Sequence, residues 1–163
     1  MDIDVKIQSP AAPSAGVFFV AKVSAASRRA YNSLMTESEA VQYEPKYLEG
    51  IEYFNNCDFF EAHEAWEEIW TEYRGPSRAF YQGLIQTAVA LHHFGNGNIR
   101  GARKLYNSSR KYLEPYRPSH LGCDLDLLFV EMEECFAEIL ASAEQYPEVE
   151  IRAEFIPEIH LHV

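Results

Sequence analysis

The run Phe59-Phe60-Glu61-Ala62-His63-Glu64-Ala65-Trp66-Glu67-Glu68-Ile69-Trp70 gathers one histidine, four carboxylates and two tryptophans into little more than three helical turns. After a break at Gly75-Pro76, a second segment carries Arg78, Gln82, Gln86 and His93 along one line of a helix that is otherwise apolar almost all round. Helices joined by so short a connection lie side by side and antiparallel, which predicts His63 near His93 and Glu67 near Gln86. Two imidazoles and a carboxylate (His63, His93 and Glu67) are donors that suit zinc or ferrous iron, with Gln86 hydrogen-bonded behind them. The same groups could hold a small molecule or a peptide. They could equally pair among themselves in a network that fixes helix register, Glu67 accepting from a histidine or glutamine. One of these must hold if the seam is buried, because an unsatisfied buried polar group costs roughly 1–3 kcal/mol.

Other chemistries find less support. The residue four after His63 is Glu67, so there is no His-Glu-x-x-His, and Glu61 lies two rather than three residues before His63. Neither the zinc-protease nor the di-iron bundle pattern is met. His92 and His93 diverge by about 100° on a helix, so only one of them can face His63. Cys57 lies near His63 in sequence, but no oxyanion-hole segment or orienting third group accompanies it. Gly95-Asn96-Gly97-Asn98 reads as a turn between helices rather than a phosphate loop, since it lacks the Lys-Ser/Thr that would follow.

The elements that must position these residues are helical. Pro45 to Asn55 forms a first helix with Tyr47, Leu48, Ile51 and Phe54 on one side. Asn55 to Asp58 is a turn, with Asp58 as N-cap and Glu61 three residues on. The second helix runs from Phe59 to about Arg74, and Trp66 lies on its core face with Phe59, Ala62, Ile69 and Tyr73. Its flank of His63, Glu67, Trp70 and Arg74 faces the third helix, while Glu64 points to water. The third helix opens at Pro76 or Ser77, ends at Phe94, and is apolar on opposite sides, which places it in the middle of a bundle. Gly83, inside it at an intrinsic cost of about 1 kcal/mol, marks a close helix approach. A fourth helix covers Ile99 to about Leu113, and a long fifth one Asp124 to Gln145. Ala62 and Ala102, each on a helix after a short polar turn, echo the second helix of a tetratricopeptide hairpin at a spacing of 40 residues.

The predicted fold is an all-α, irregular bundle of about five helices with tetratricopeptide-like hairpins. Residues 1–42 form a loose extension, 43–146 the bundle and 147–163 an extended strap. Within the extension, Val17 to Val23 could make a short strand and Ser24 to Asn32 a short helix. The net charge of −11 argues against nucleic acid and anionic membrane as partners. Cys57, Cys123 and Cys135 have no metal-type spacing and read as free thiols. Gly16 to Ala21, the longest apolar stretch of the N-terminus, is too short for a signal core or a span, so the expected location is the cytoplasm.

Taken together, Phe54-Asn55, Phe59 to Glu64, Trp66-Glu67, Trp70, Arg78, Phe80, Gln82 to Gln86, His93, Gly97-Asn98 and Gly101-Ala102 resemble the small helical proteins known as domain of unknown function 309. The resemblance covers about Tyr43 to Tyr116. It implies an all-helical cytoplasmic protein without an assigned activity. The family signature, carried onto this chain, falls on His63, Glu64, Trp66, Glu67, Gln82, Gln86 and His93. Those residues are the candidate ligand site, and His63, Glu67 and His93 the candidate divalent-metal site. The expected role is a binding or scaffolding module for a protein, a peptide, a small molecule or a second copy of the chain; the alternative is a metal-dependent enzyme using His63, Glu67 and His93.

Overall fold

A computed structural model describes residues 42–162, so the strand and helix expected before Asn32 lie outside the described residues. Four helices lead: α1 (Pro45–Asn55), α2 (Phe59–Glu72), α3 (Arg78–Gly95) and α4 (Ile99–Leu113). A single 3-10 turn, Glu114–Tyr116, leads to a hairpin of β1 (Ser119–His120) and β2 (Cys123–Asp124). Two shorter helices, α5 (Leu125–Cys135) and α6 (Ala137–Ala141), complete the bundle before the C-terminal segment. The all-α expectation holds.

The two helical hairpins share one turn. Asn56 and Asn96 end α1 and α3 with nearly the same backbone, φ −89° and −92°. The next residues, Cys57 and Gly97, are left-handed at φ 66° and 74°. Asp58 N–H then reaches back to Tyr53 O at 2.9 Å, and Asn98 N–H to His93 O at 2.8 Å. Cys57 N–H and Gly97 N–H donate to Phe54 O and Phe94 O, both at 3.0 Å, completing a Schellman motif in each turn. The spacing of 40 residues read from Ala62 and Ala102 is thus a repeated backbone solution, and both alanines are fully buried. The caps differ in detail. Asn98 accepts from Gly101 N–H at 3.0 Å, whereas the Asp58 side chain makes no capping bond.

Helix α3 is central: no residue between Arg78 and Phe94 is exposed. Phe60 against His92 at one end and Trp70 under Arg78 at the other fix α2 antiparallel beside it. On the opposite flank, a Cβ added to Gly83 would lie 2.5 Å from Leu113 Cγ, so α4 does approach the backbone where the glycine marks it. Beneath, α1 is pinned to α2 by Trp66, whose indole N–H donates to Tyr47 O at 3.2 Å and whose ring lies flush on Gly50.

The long fifth helix is a correction. The chain breaks at Phe136 (φ −94°, ψ 3°), whose buried ring stacks on Tyr106 at 4.8 Å and meets Phe94 at 5.1 Å. Apolar periodicity continued through the break because both pieces bury the same face. The β-hairpin was not expected either; its two-residue turn puts Leu121 and Gly122 at φ 46° and 74°. The C-terminal segment lies across it: Leu161 bridges Cys123, and His162 N–H donates to Gly122 O at 2.7 Å. Asn55 then exchanges both amide bonds with the Ile159 backbone, at 2.7 and 3.0 Å.

A left-handed backbone costs a residue with a Cβ roughly 1–2 kcal/mol relative to glycine. Cys57→Gly, which makes the first turn match the second, should therefore raise stability by about 0.5–1 kcal/mol in a urea melt. Gly83→Ala should do the opposite and cost about 1–3 kcal/mol, because Leu113 is buried and has little room to retreat.

Candidate functional site

Each sequence-predicted residue has a definite place. His63 is half-buried, its Nδ1 bonded to the Phe60 carbonyl, which leaves Nε2 facing Glu67 Oε2 at 3.8 Å. The Phe60 ring packs against the His63 ring at 4.6 Å and the His92 ring at 5.4 Å. It is thus His92, reached through Phe60, that α3 turns toward His63. His93 points away and contacts Asn98 Nδ2 through its own Nδ1 at 3.3 Å. The expected proximity of His63 and His93 fails because adjacent helix residues diverge and the alternate one won. Among the described residues no group of three or more His, Cys, Asp or Glu could hold a metal ion. The set of His63, Glu67 and His93 is not assembled.

Trp66 also leaves the candidate ligand site. It is fully buried, and its one polar atom is satisfied by Tyr47. A ligand could touch it only if α1 moved away. Glu64 is exposed, as expected, but so is Glu67, which was placed in the seam. Both border an open groove of about 650 Å³ with Glu44, Glu68 and Glu72, where Lys46 is the cation among the lining residues. Among the described residues neither His63 nor Glu67 makes a direct hydrogen bond to Gln82, Gln86 or His93.

The stripe on α3 is nonetheless polar and confined. Arg78, Gln82, Ile85, Gln86, Val89, His92 and His93 are all half-buried, at spacings of three and four. Arg78 stacks its guanidinium over Trp70, 3.9 Å from the ring centroid, which holds both side chains. Its Nε is sealed from solvent without a hydrogen-bond partner, and so is Gln86 Oε1. Among the described residues these two are the buried side-chain polar atoms without a hydrogen-bond partner.

One pair escaped the sequence reading. Ser77 Oγ lies 2.8 Å from His120 Nε2, at the start of α3. The His120 ring is clasped between Phe80 at 4.8 Å and Tyr116 at 4.6 Å, and Tyr116 O–H donates to Pro76 O. No orienting acid reaches the imidazole, and Ser77 is itself buried, so the pair clamps the β-hairpin to α3 rather than presenting a nucleophile. Separation of 43 residues hid it. The thiols offer no nucleophile either, since burial pushes Cys123 up steeply, Cys135 to about 12 and Cys57 above its ordinary value.

The family described as "Domain of unknown function (DUF309)" matches residues 47–105, from α1 into α4. Over that span, 59 of the 163 residues, the chain is similar to this family. All seven signature residues fall in the matched span. The chain is 34% identical over 92 residues to "Uncharacterized protein YpuF" of Bacillus subtilis (strain 168), covering 55% of this chain and 53% of that protein. It is 38% identical over 60 residues to an "Uncharacterized protein" of Aquifex aeolicus (strain VF5), covering 36% of this chain and 18% of that one. The chain therefore spans about half the length of the first relative and under a fifth of the second. No helix among the described residues is long and apolar enough to cross a membrane.

Two outcomes check this geometry. Glu67→Ala and Glu64→Ala should each change stability by no more than about 0.5 kcal/mol, because both carboxylates lie at the surface. Burial holds the His93 and His120 imidazoles below the ordinary range, and His92 adds to the effect at His93. The unfolded chain then takes up protons first as pH falls through about 6.5. Stability should therefore drop between pH 7 and pH 5.5, and His120→Gln should flatten part of that slope in paired urea melts.

Proposed function

We propose that the DUF309-like domain of this chain is a docking or scaffolding module whose working surface is the half-buried stripe of α3 with its flanks on α2 and α4. The observation that carries this reading is the pair of sealed, unpartnered polar atoms on the stripe, Gln86 Oε1 and Arg78 Nε. Native folds satisfy the great majority of such atoms internally. Two on one helix face, beside a cluster of Phe60, His63 and His92, support a surface whose side chains turn outward to make contacts that the chain does not make alone. The neighbouring features agree. Phe60 is 47% exposed despite its size, and the Arg78–Trp70 stack is a preformed, flat, cationic contact of the kind enriched at interfaces.

This reading separates from a purely structural network by a stability measurement. A network that holds α2 on α3 loses about 1–3 kcal/mol when a member is deleted. A docking surface loses nothing, since its polar atoms are not paired within the chain. Gln86→Leu should leave stability unchanged or raise it by up to about 1 kcal/mol in a urea melt at low micromolar concentration. A loss above 1 kcal/mol would return Gln86 to the fold and remove the docking reading.

A further inference from the structure

The two helices beside α3 carry opposite charge. Helix α2 holds Glu61, Glu64, Glu67, Glu68 and Glu72 and no lysine or arginine. Helix α4 holds Arg100, Arg103, Lys104, Arg110 and Lys111 and no carboxylate. The arginines of α4 are engaged within the fold. Arg103 donates to Ile139 O, Ser142 O and Glu144 O, Arg110 reaches Phe129 O and Tyr106 Oη, and Arg100 meets Tyr146 Oη. Lys104 and Lys111, seven residues apart on the exposed face, make no ion pair among the described residues. The α3 stripe of amides and aliphatic groups thus runs between an acidic helix and a basic one.

Such a face selects its occupant. A basic peptide would suit α2 and be repelled along α4, and an acidic one would meet the reverse. A surface that is negative on one side and positive on the other is complemented by itself, turned over. We propose that a second copy of this chain docks on this face about a twofold axis running along α3, so that α2 of each copy lies over α4 of the other. The proposal rests on the docking reading of the α3 stripe and names its partner.

The levels along α3 fit that operation. Trp70 stands beside Arg78 and Phe60 beside His92, so Glu67 lies between the levels of Tyr81 and Ile85 at a rise of 1.5 Å per residue. Leu113 and Tyr112 stand beside Gly83, so Lys111 lies at the level of Leu84 and Ile85. Rotation about an axis parallel to α3 preserves level, and Glu67 of one copy then faces Lys111 of the other. By the same count Lys104 falls opposite the exposed ring of Phe60. Along the axis each stripe residue meets its own copy. Val89 packs on Val89, and Gln86 meets Gln86, where two amides can exchange N–H···O bonds reciprocally. A turn about the soft terminal torsion of Gln86 brings its sealed oxygen into that pair. Three helices 8–10 Å apart over the roughly 27 Å of α3 cover on the order of 700 Å² per copy, close to what a specific interface needs.

Sedimentation equilibrium of the 163-residue chain from 5 to 300 µM, at low and high salt, tests this directly. The expected result is a monomer–dimer equilibrium whose Kd rises at least fivefold from 50 to 500 mM salt. Lys111→Glu and Glu67→Lys should each raise Kd at least tenfold, and the two together in one chain should restore it to within about threefold. Gln86→Glu, which puts like charges on the axis, should raise it at least as much as either. Glu67 and Lys111 are exposed and Gln86 is half-buried, and circular dichroism checks that each variant is folded. A monomer at 300 µM at both salts overturns the proposal, as does a dimer indifferent to the swaps or a double swap that does not recover. The two readings fail separately: a strict monomer in which Gln86→Leu keeps full stability discards the second copy and keeps the docking surface.

Discussion

Helix α3 has α1 beneath it, α2 and α4 on its flanks, and one side that the described chain leaves half covered. Everything else is arranged by that placement. Eighteen residues in the centre of a bundle cannot carry charged side chains except where a stack or an edge relieves them, which is why Arg78 lies on Trp70 and the imidazoles sit at the far end. Small residues set the spacing: Gly83 admits Leu113 from α4, while on the facing helix Gly50 admits Trp66. Among the described residues Trp66 is the largest side chain wholly enclosed, and its bond to the Tyr47 carbonyl ties α1 to α2.

What could be read from the sequence follows from how local each constraint is. The ends of α1 and α4 and the turns at Asn56 and Asn96 were legible because proline, asparagine and glycine fix backbone angles within a few residues. Gly83 was legible because a glycine inside a helix needs a reason. The break at Phe136 was not, since a helix with one buried face and two short helices sharing that face show the same periodicity. The Ser77–His120 clamp and the exchange between Asn55 and Ile159 link residues 43 and 104 positions apart and leave no local trace.

The candidate site shows the same division. A helical wheel placed Trp66 on the core face, and the structure agrees; assigning it to a ligand as well asked one side chain to do two incompatible things. His63 and Glu67 were set toward α3 by angle alone, yet a flank position on a helix can be covered or open. Whether it is covered depends on how wide the neighbouring side chains are. Phe60 fills the space at the His63 end, and nothing of α3 reaches far enough to enclose Glu67. A pattern of residue types therefore identified the right faces and mistook one of them for an interior.

The shared turn gives α2 and α4 equivalent stations in two hairpins built alike, and the sequence then decorates them with opposite charge. Local helix stability does not require this. Carboxylates suit the start of a helix and cations its end, but α2 keeps carboxylates through its last turn and α4 places Arg100 in its first. Each helix thus opposes its own dipole at one end. Solubility does not require it either, because interspersed charge would serve as well. The chain as a whole is strongly acidic at −11, so a helix with five cations and no carboxylate runs against its own background. A field segregated across 20 Å or so, on either side of a strip that is neither core nor open surface, has its natural use in recognition, where opposite strips set orientation and like strips exclude the wrong partner.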